Sequence, residues 1–186
     1  DITSEKKVNV LELKKDGFKA VTRMDSASMG TAKSLSEFLN YGYKNYSADS
    51  YGLIMWDHGN GPNIGYGKDM LFENDSLTLA EMKEALNNSP FNSSNKLDWV
   101  GFDACLMSTA ELACVWDDYA NYMVASQEIE PSFGWNYDIF KKYTSSDIKG
   151  FLAQLTKSYL STSLDYYNDK GYSNKDITLA CMDLSH

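Results

Sequence analysis

Two short apolar runs, each ending in a turn that carries a chemically distinctive residue, constrain this chain more than any other feature. Tyr51-Gly-Leu-Ile-Met-Trp56 stops at Asp57-His58-Gly59-Asn60-Gly61, and Trp99-Val-Gly-Phe102 stops at Asp103-Ala104-Cys105. Unbroken apolar runs of this length are what strands show when helices cover both faces of their sheet. Between them Thr78-x-x-Glu81 forms a capping box ahead of Leu79, Met82 and Leu86, and the helix so predicted stops by Pro90. A strand, a helix and a second strand joined by a right-handed crossover lie parallel and side by side. Residues just past their carboxyl ends then share one edge of the sheet, where functional groups collect in such folds. His58 and Cys105 both occupy that position.

The remaining pattern agrees with an α/β domain. Val8 to Met24, broken by Asp16-Gly17, reads as a β-hairpin. Leu35, Phe38, Leu39, Gly42, Tyr43 and Tyr46 behind Ser34-x-x-Glu37 predict a helix over 34–46. Ser108-x-x-Glu111 predicts a helix carrying Leu112, Val115, Trp116 and Tyr119, which puts Cys105 between a strand and a helix N-terminus. Tyr122–Ser126 reads as a strand, Gln127–Asn136 as a loop, Ile148 to Tyr159 as a long helix and Ile177–Met182 as a last strand. No linker or repeat interrupts residues 1–186, so a single domain with a mostly parallel sheet is expected.

Charge narrows the function. Seventeen basic against twenty-six acidic residues give a net charge of −9 and a pI near 4.6. Such a surface repels nucleic-acid phosphates and favours cationic substrates. No apolar run is long enough to span a bilayer, and Asp1 to Lys7 lead into no apolar signal core. The two histidines are His58 and the last residue, His186, which excludes a His-rich metal centre. Three cysteines cannot all pair internally, so at least one thiol is free. Cys114, inside a predicted helix, and Cys181, inside a predicted strand, are expected to be buried core.

A cysteine is a nucleophile as its thiolate, and a helix N-terminus or a neighbouring imidazolium stabilises that form. Cys105 has the first by position and gains the second if His58 faces it. Gly59 and Gly61 let backbone N–H groups approach a substrate carbonyl, as an oxyanion site requires. Taken alone the pair also fits a buried cysteine and a loop histidine that hydrogen-bonds within its turn.

The blocks Trp56-Asp57-His58-Gly59-Asn60-Gly61 and Phe102-Asp103-Ala104-Cys105-Leu106-Met107-Ser108 resemble the two signatures of the clostripain family of cysteine peptidases, relatives of gingipains, caspases and legumain. Met29-Gly30, Asn45 to Asp49, Leu77-Thr78-Leu79, Ala125 to Glu128, Gly134-Trp135 and Tyr137 match as well, so the resemblance runs from about Val8 to Leu184. It implies a caspase/haemoglobinase-like α-β-α sandwich. It also implies an endopeptidase in which His58 is the base and Cys105 forms the acyl-enzyme, with the N–H groups of Gly59 and Cys105 as oxyanion donors.

By the same resemblance the enzyme cleaves after Arg or Lys, and Asp103 helps bind that side chain. The loop Ser126–Trp135 walls the pocket, with Glu128 as a second acidic contact and Glu130 as the alternative. Relatives often cut themselves between the two blocks, which here means the segment from Pro62 to Asn74, where Lys68 is the basic site. Some require calcium, for which Asp69, Glu73 and Asp75 offer oxygen ligands; the chemistry itself needs no cofactor. Family members usually have a further strand and helix before Val8 and extend past Asp183, so this chain is expected to be part of a longer catalytic region whose other segments are its partners. Export from the cell is the family habit. The competing expectation is a catalytically silent domain of the same fold that binds or assembles.

Overall fold

The computed structural model describes residues 8–24, 28–143, 145–171 and 176–185. Asp1 to Lys7 and His186 lie outside them. The first element is the expected hairpin, β1 (Val8–Lys14) against β2 (Gly17–Met24), with Lys14 opposite Gly17 at the turn and a register shift between Val10 and Leu11. Then follow α1 (Ala32–Asn45), β3 (Gly52–Trp56), the single turn α2 (Gly61–Ile64), a small hairpin of β4 (Tyr66–Asp69) and β5 (Asp75–Leu77), and α3 (Leu79–Asn87). The second half holds β6 (Leu97–Asp103), α4 (Ala110–Trp116), β7 (Ala120–Ala125), two 3-10 turns (Tyr137–Lys142 and Ser145–Asp147), α5 (Ile148–Asp169) and β8 (Ala180–Asp183).

The central sheet has the order β3-β6-β7-β8. β3, β6 and β7 run parallel, and β8 alone is antiparallel, against β7. One face carries Leu53, Met55, Val100, Phe102 and Met123, covered by Leu35 and Leu39 of α1, Met82 and Leu86 of α3, and Leu112 and Trp116 of α4. The other carries Trp99 and Val124, covered by Phe151, Leu152, Leu155 and Tyr159 of α5 together with Trp135. Each fully buried side chain of this size contributes about 1.5–3 kcal/mol, so both helical layers are held by their stripes and not by helix propensity.

The caps show where local reading succeeds and fails. Thr78 and Glu81 make the full reciprocal box, and α3 starts where the sequence places it. α1 instead begins behind Thr31, whose hydroxyl accepts the Ser34 N–H, while the Ser34 hydroxyl donates to the Ser28 carbonyl at 2.6 Å. α4 begins behind Thr109, one residue later than expected from Ser108. In both cases a threonine with extended backbone competes with the serine, and the polypeptide's entry direction decides.

Cys114 and Cys181 correct the expectation of buried thiols, because both are exposed. Leu112 and Trp116 define the inward stripe of α4, and Cys114, two residues from each, points away from it. Cys181 alternates with its neighbours on the edge strand β8. All three thiols are free, as the odd count requires of at least one.

Candidate active site

The parallel pairing of β3 with β6 brings Trp56 level with Asp103. The turns that follow therefore leave the sheet side by side, one carrying His58 and the other Cys105. Gly59 marks the closest approach: a Cβ built on it would lie 2.9 Å from the Cys105 carbonyl carbon, nearer still to its oxygen, and 2.9 Å from Met107 Cγ. No other residue fits there.

Hydrogen bonds fix the histidine turn from behind. The His58 carbonyl accepts the Gly67 N–H at 2.7 Å and the Asn60 N–H donates to the Gly65 carbonyl at 3.0 Å, tying the turn to the start of β4. The His58 side chain is exposed. On the cysteine side Leu106 sits at φ 60°, a left-handed conformation that costs a non-glycine residue about 1 kcal/mol. Its N–H donates to the Glu128 carbonyl at 3.2 Å, and the Ser108 N–H to the Ser126 carbonyl at 2.8 Å. Among the described residues the N–H groups of Gly59 and Cys105 have no acceptor, which leaves two main-chain donors on adjoining turns.

Beside Cys105 lie two buried carboxyls, those of Asp103 and Glu130. The half-buried Cys105 Sγ accepts the Glu130 N–H at 3.3 Å. Asp103 is buried and its Oδ2 accepts the Trp135 N–H at 3.1 Å and the Tyr137 hydroxyl at 2.8 Å. Gly134, at φ 67°, lets the chain pass this carboxylate, since a Cβ there would stand 2.8 Å from Oδ2. Glu130 is only 8% exposed and neither of its carboxyl oxygens makes a hydrogen bond of ordinary geometry. Burial first, and then the neighbouring Asp103, push its carboxyl up to about 9. Burial likewise raises the hydroxyls of Tyr66, Tyr137 and Tyr159, with nearby carboxylates adding to the effect.

The other residues singled out in the sequence lie elsewhere. Glu128 is exposed and takes part through its carbonyl, which also accepts the Ser126 hydroxyl at 2.9 Å. Lys68 is exposed on β4, in a stretch that reads as a Gly- and Asn-rich loop but folds as the β4–β5 hairpin. The adjacent Asp69 spends its carboxylate on the N–H groups of Met29 and Leu71, at 2.9 and 3.0 Å. Among the described residues no three His, Cys, Asp or Glu side chains gather as a metal site would need. Trp135 and Tyr137 belong to the matching blocks, yet their tie to Asp103 spans more than thirty residues and has no local signature.

A sequence profile of the clostripain family matches residues 1–186. The chain belongs to the clostripain family. Clostripain of Hathewaya histolytica is 31% identical over 137 residues, 64% of this chain and 25% of that protein. A secreted C11 cysteine protease from Bacteroides thetaiotaomicron, solved with an irreversible peptide inhibitor, superposes with a TM-score of 0.76 at 21% identity, over 94% of this chain and 51% of that one. An inactive zymogen C11 protease from Parabacteroides distasonis gives 0.60 at 24%, over 94% and 46%. The chain thus spans about half the length of these solved relatives and a quarter of clostripain. The superpositions establish the caspase-like fold of the family, with its mixed, mostly parallel sheet. No helix among the described residues is long and apolar enough to cross a membrane.

Proposed function

We propose that this chain is the catalytic region of a cysteine endopeptidase that cleaves after arginine or lysine. The observation that carries the reading is the packing of the Gly59 main chain against that of Cys105, which sets the two family signatures edge to edge. In the first half-reaction the His58 imidazole takes the Cys105 thiol proton, and the thiolate attacks the substrate carbonyl carbon. The oxyanion forms within reach of the Gly59 and Cys105 N–H groups, and two such donors are worth several kcal/mol to the transition state. As the C–N bond breaks, the imidazolium protonates the departing amine and leaves a thioester on Cys105. Water, deprotonated by His58, then releases the acid and restores the thiol.

Selectivity for a basic side chain rests on Asp103, a carboxylate oriented by Trp135 and Tyr137 at the end of the strand that leads to the nucleophile. The net charge of −9 favours approach of cationic peptides. The secreted relative supports export. Self-cleavage after Lys68 and activation by calcium are proposed on family grounds. The first would require the β4–β5 hairpin to open, and the second would require ligands beyond the carboxylate that Asp69 has already committed. No observation favours the silent binding domain.

Fluorogenic peptides ending in Arg, Lys or norleucine test the reading, on this chain and on the full-length protein, with added calcium and with a chelator. Turnover after Arg or Lys that disappears in Cys105→Ala and His58→Ala is the expected result. A folded full-length protein that turns over none of the three overturns it.

A further inference from the structure

We propose that Glu130, and not Glu128, sets the selectivity for a cationic side chain, and does so by giving up a proton. Asp103 and Glu130 are paired as one carboxylate and one carboxylic acid, and binding of the cation between them converts them to two carboxylates. This deepens the reading above and rests on it.

The division of roles follows from who donates to whom. Asp103 accepts two hydrogen bonds, from the Trp135 N–H and the Tyr137 hydroxyl, so its oxygens have donors within the fold. Glu130 has the Asp103 carboxyl and, as its one neighbouring donor, the Trp135 indole N–H beside it, neither in ordinary hydrogen-bond geometry, although it is 8% exposed and both of its oxygens are enclosed. A second bare charge beside Asp103 would be uncompensated, so the acid form is the one these surroundings stabilise. Burial first, and then Asp103, push the carboxyl up to about 9, in line with this arrangement.

The surroundings supply no alternative neutraliser. From β6 comes Asp103, from the following turn the Cys105 sulfur that accepts the Glu130 N–H, and from the loop Trp135. The 3-10 turn contributes Tyr137, α5 contributes Tyr159, and Tyr66 on β4 feels the charges of Asp57 and Asp103. The three tyrosines are all raised and remain neutral, and among the described residues no lysine or arginine acts on Glu130. A guanidinium or ammonium would bring both the missing charge and the missing donors. The Glu130 proton then leaves to solvent, and the same residue, through its N–H on Sγ, ties the occupied site to the nucleophile.

The test is the ratio of kcat/KM for matched peptides ending in Arg and in norleucine, measured from pH 6 to 9.5. Ionisation of Cys105 and His58 acts on both substrates and cancels in the ratio. The ratio should rise about tenfold per pH unit through pH 8 and then level off, because one proton is released for each cation bound. Glu130→Gln should remove the slope, and Glu128→Gln should keep it. A flat ratio well above one overturns proton release while leaving basic selectivity in place. A ratio near one at every pH overturns the basic selectivity itself, and a slope that survives in Glu130→Gln overturns the assignment to Glu130. Calorimetric titration with benzamidine in buffers of different ionisation enthalpy reads the same proton without turnover. About one proton should be released at pH 7, and benzamidine binding with no proton release overturns the proposal.

Discussion

The α-carbon of Gly59 is packed onto the main chain of Cys105, so closely that a single added methyl group would stand 2.9 Å from the Cys105 carbonyl carbon and closer still to its oxygen. Gly59→Ala must push the two turns apart or twist the peptide whose N–H is the proposed oxyanion donor. We expect kcat/KM to fall by about 100-fold or more, the loss seen when one such donor is removed. Because the added methyl group also meets Met107, a buried core residue, the melting temperature should fall as well. Kinetics and a thermal scan on the same preparation check both.

Asp103→Asn keeps the shape of the side chain and removes its charge. The Trp135 N–H and the Tyr137 hydroxyl would still find an acceptor, but a weaker one, so a loss of about 1–2 kcal/mol in urea unfolding is expected. Turnover of Arg and Lys peptides should fall much further than turnover of the norleucine peptide.

Stability should depend on pH through Glu130. In the folded chain its carboxyl is raised to about 9 from an ordinary value of 4.5. Between those limits the unfolded chain has released a proton that the native state still holds. Its contribution to stability is therefore complete below pH 4.5 and is lost as pH rises toward 9, at about 1.4 kcal/mol per unit. Urea unfolding at pH 5, 6.5 and 8 should show this decline, and Glu130→Gln, which has no proton to lose, should flatten it and be the more stable protein at pH 8.

The exposed thiols are predicted to separate by rate. Burial and the nearby Asp183 raise the Cys181 thiol above its usual range, whereas Cys114 stands exposed on the outer face of α4. Limited iodoacetamide at pH 8 followed by peptide mapping should find Cys114 alkylated well before Cys181.

Gly101, in the middle of β6, is wedged between two indoles, and a methyl group added to it would lie 2.7 Å from both Trp135 and Trp99. Gly101→Ala should cost about 1–3 kcal/mol by overpacking, read from the urea midpoint.

The residues differ in how far they are legible. The strands ending at Trp56 and Asp103, and the helix between them, can be placed because a capping box and two apolar runs are local signals, and parallel pairing then follows from topology. The adjacency of the His58 and Cys105 turns is readable for the same reason. Cys114 and Cys181 depart from expectation because position outweighs residue type: Leu112 and Trp116 already fix the inward face of α4, and only the sheet order reveals that β8 is an edge. Glu128 and Glu130 cannot be ranked from sequence, since a loop has no period. Which of them turns inward depends on the Glu130 N–H meeting a sulfur twenty-five residues earlier. The β4–β5 hairpin escapes a local reading because its strands are four and three residues long and the first is interrupted by glycine.

Trp135 joins two things that are usually separate. Its main-chain N–H holds the Asp103 carboxylate, and its indole lies on the bare α-carbon of Gly101 against the Trp99 ring. A cation bound at Asp103 and Glu130 would sit beside a fluorophore that is part of the fold. Intrinsic emission therefore offers a label-free record of occupancy, available on the millisecond scale and in variants that no longer turn over.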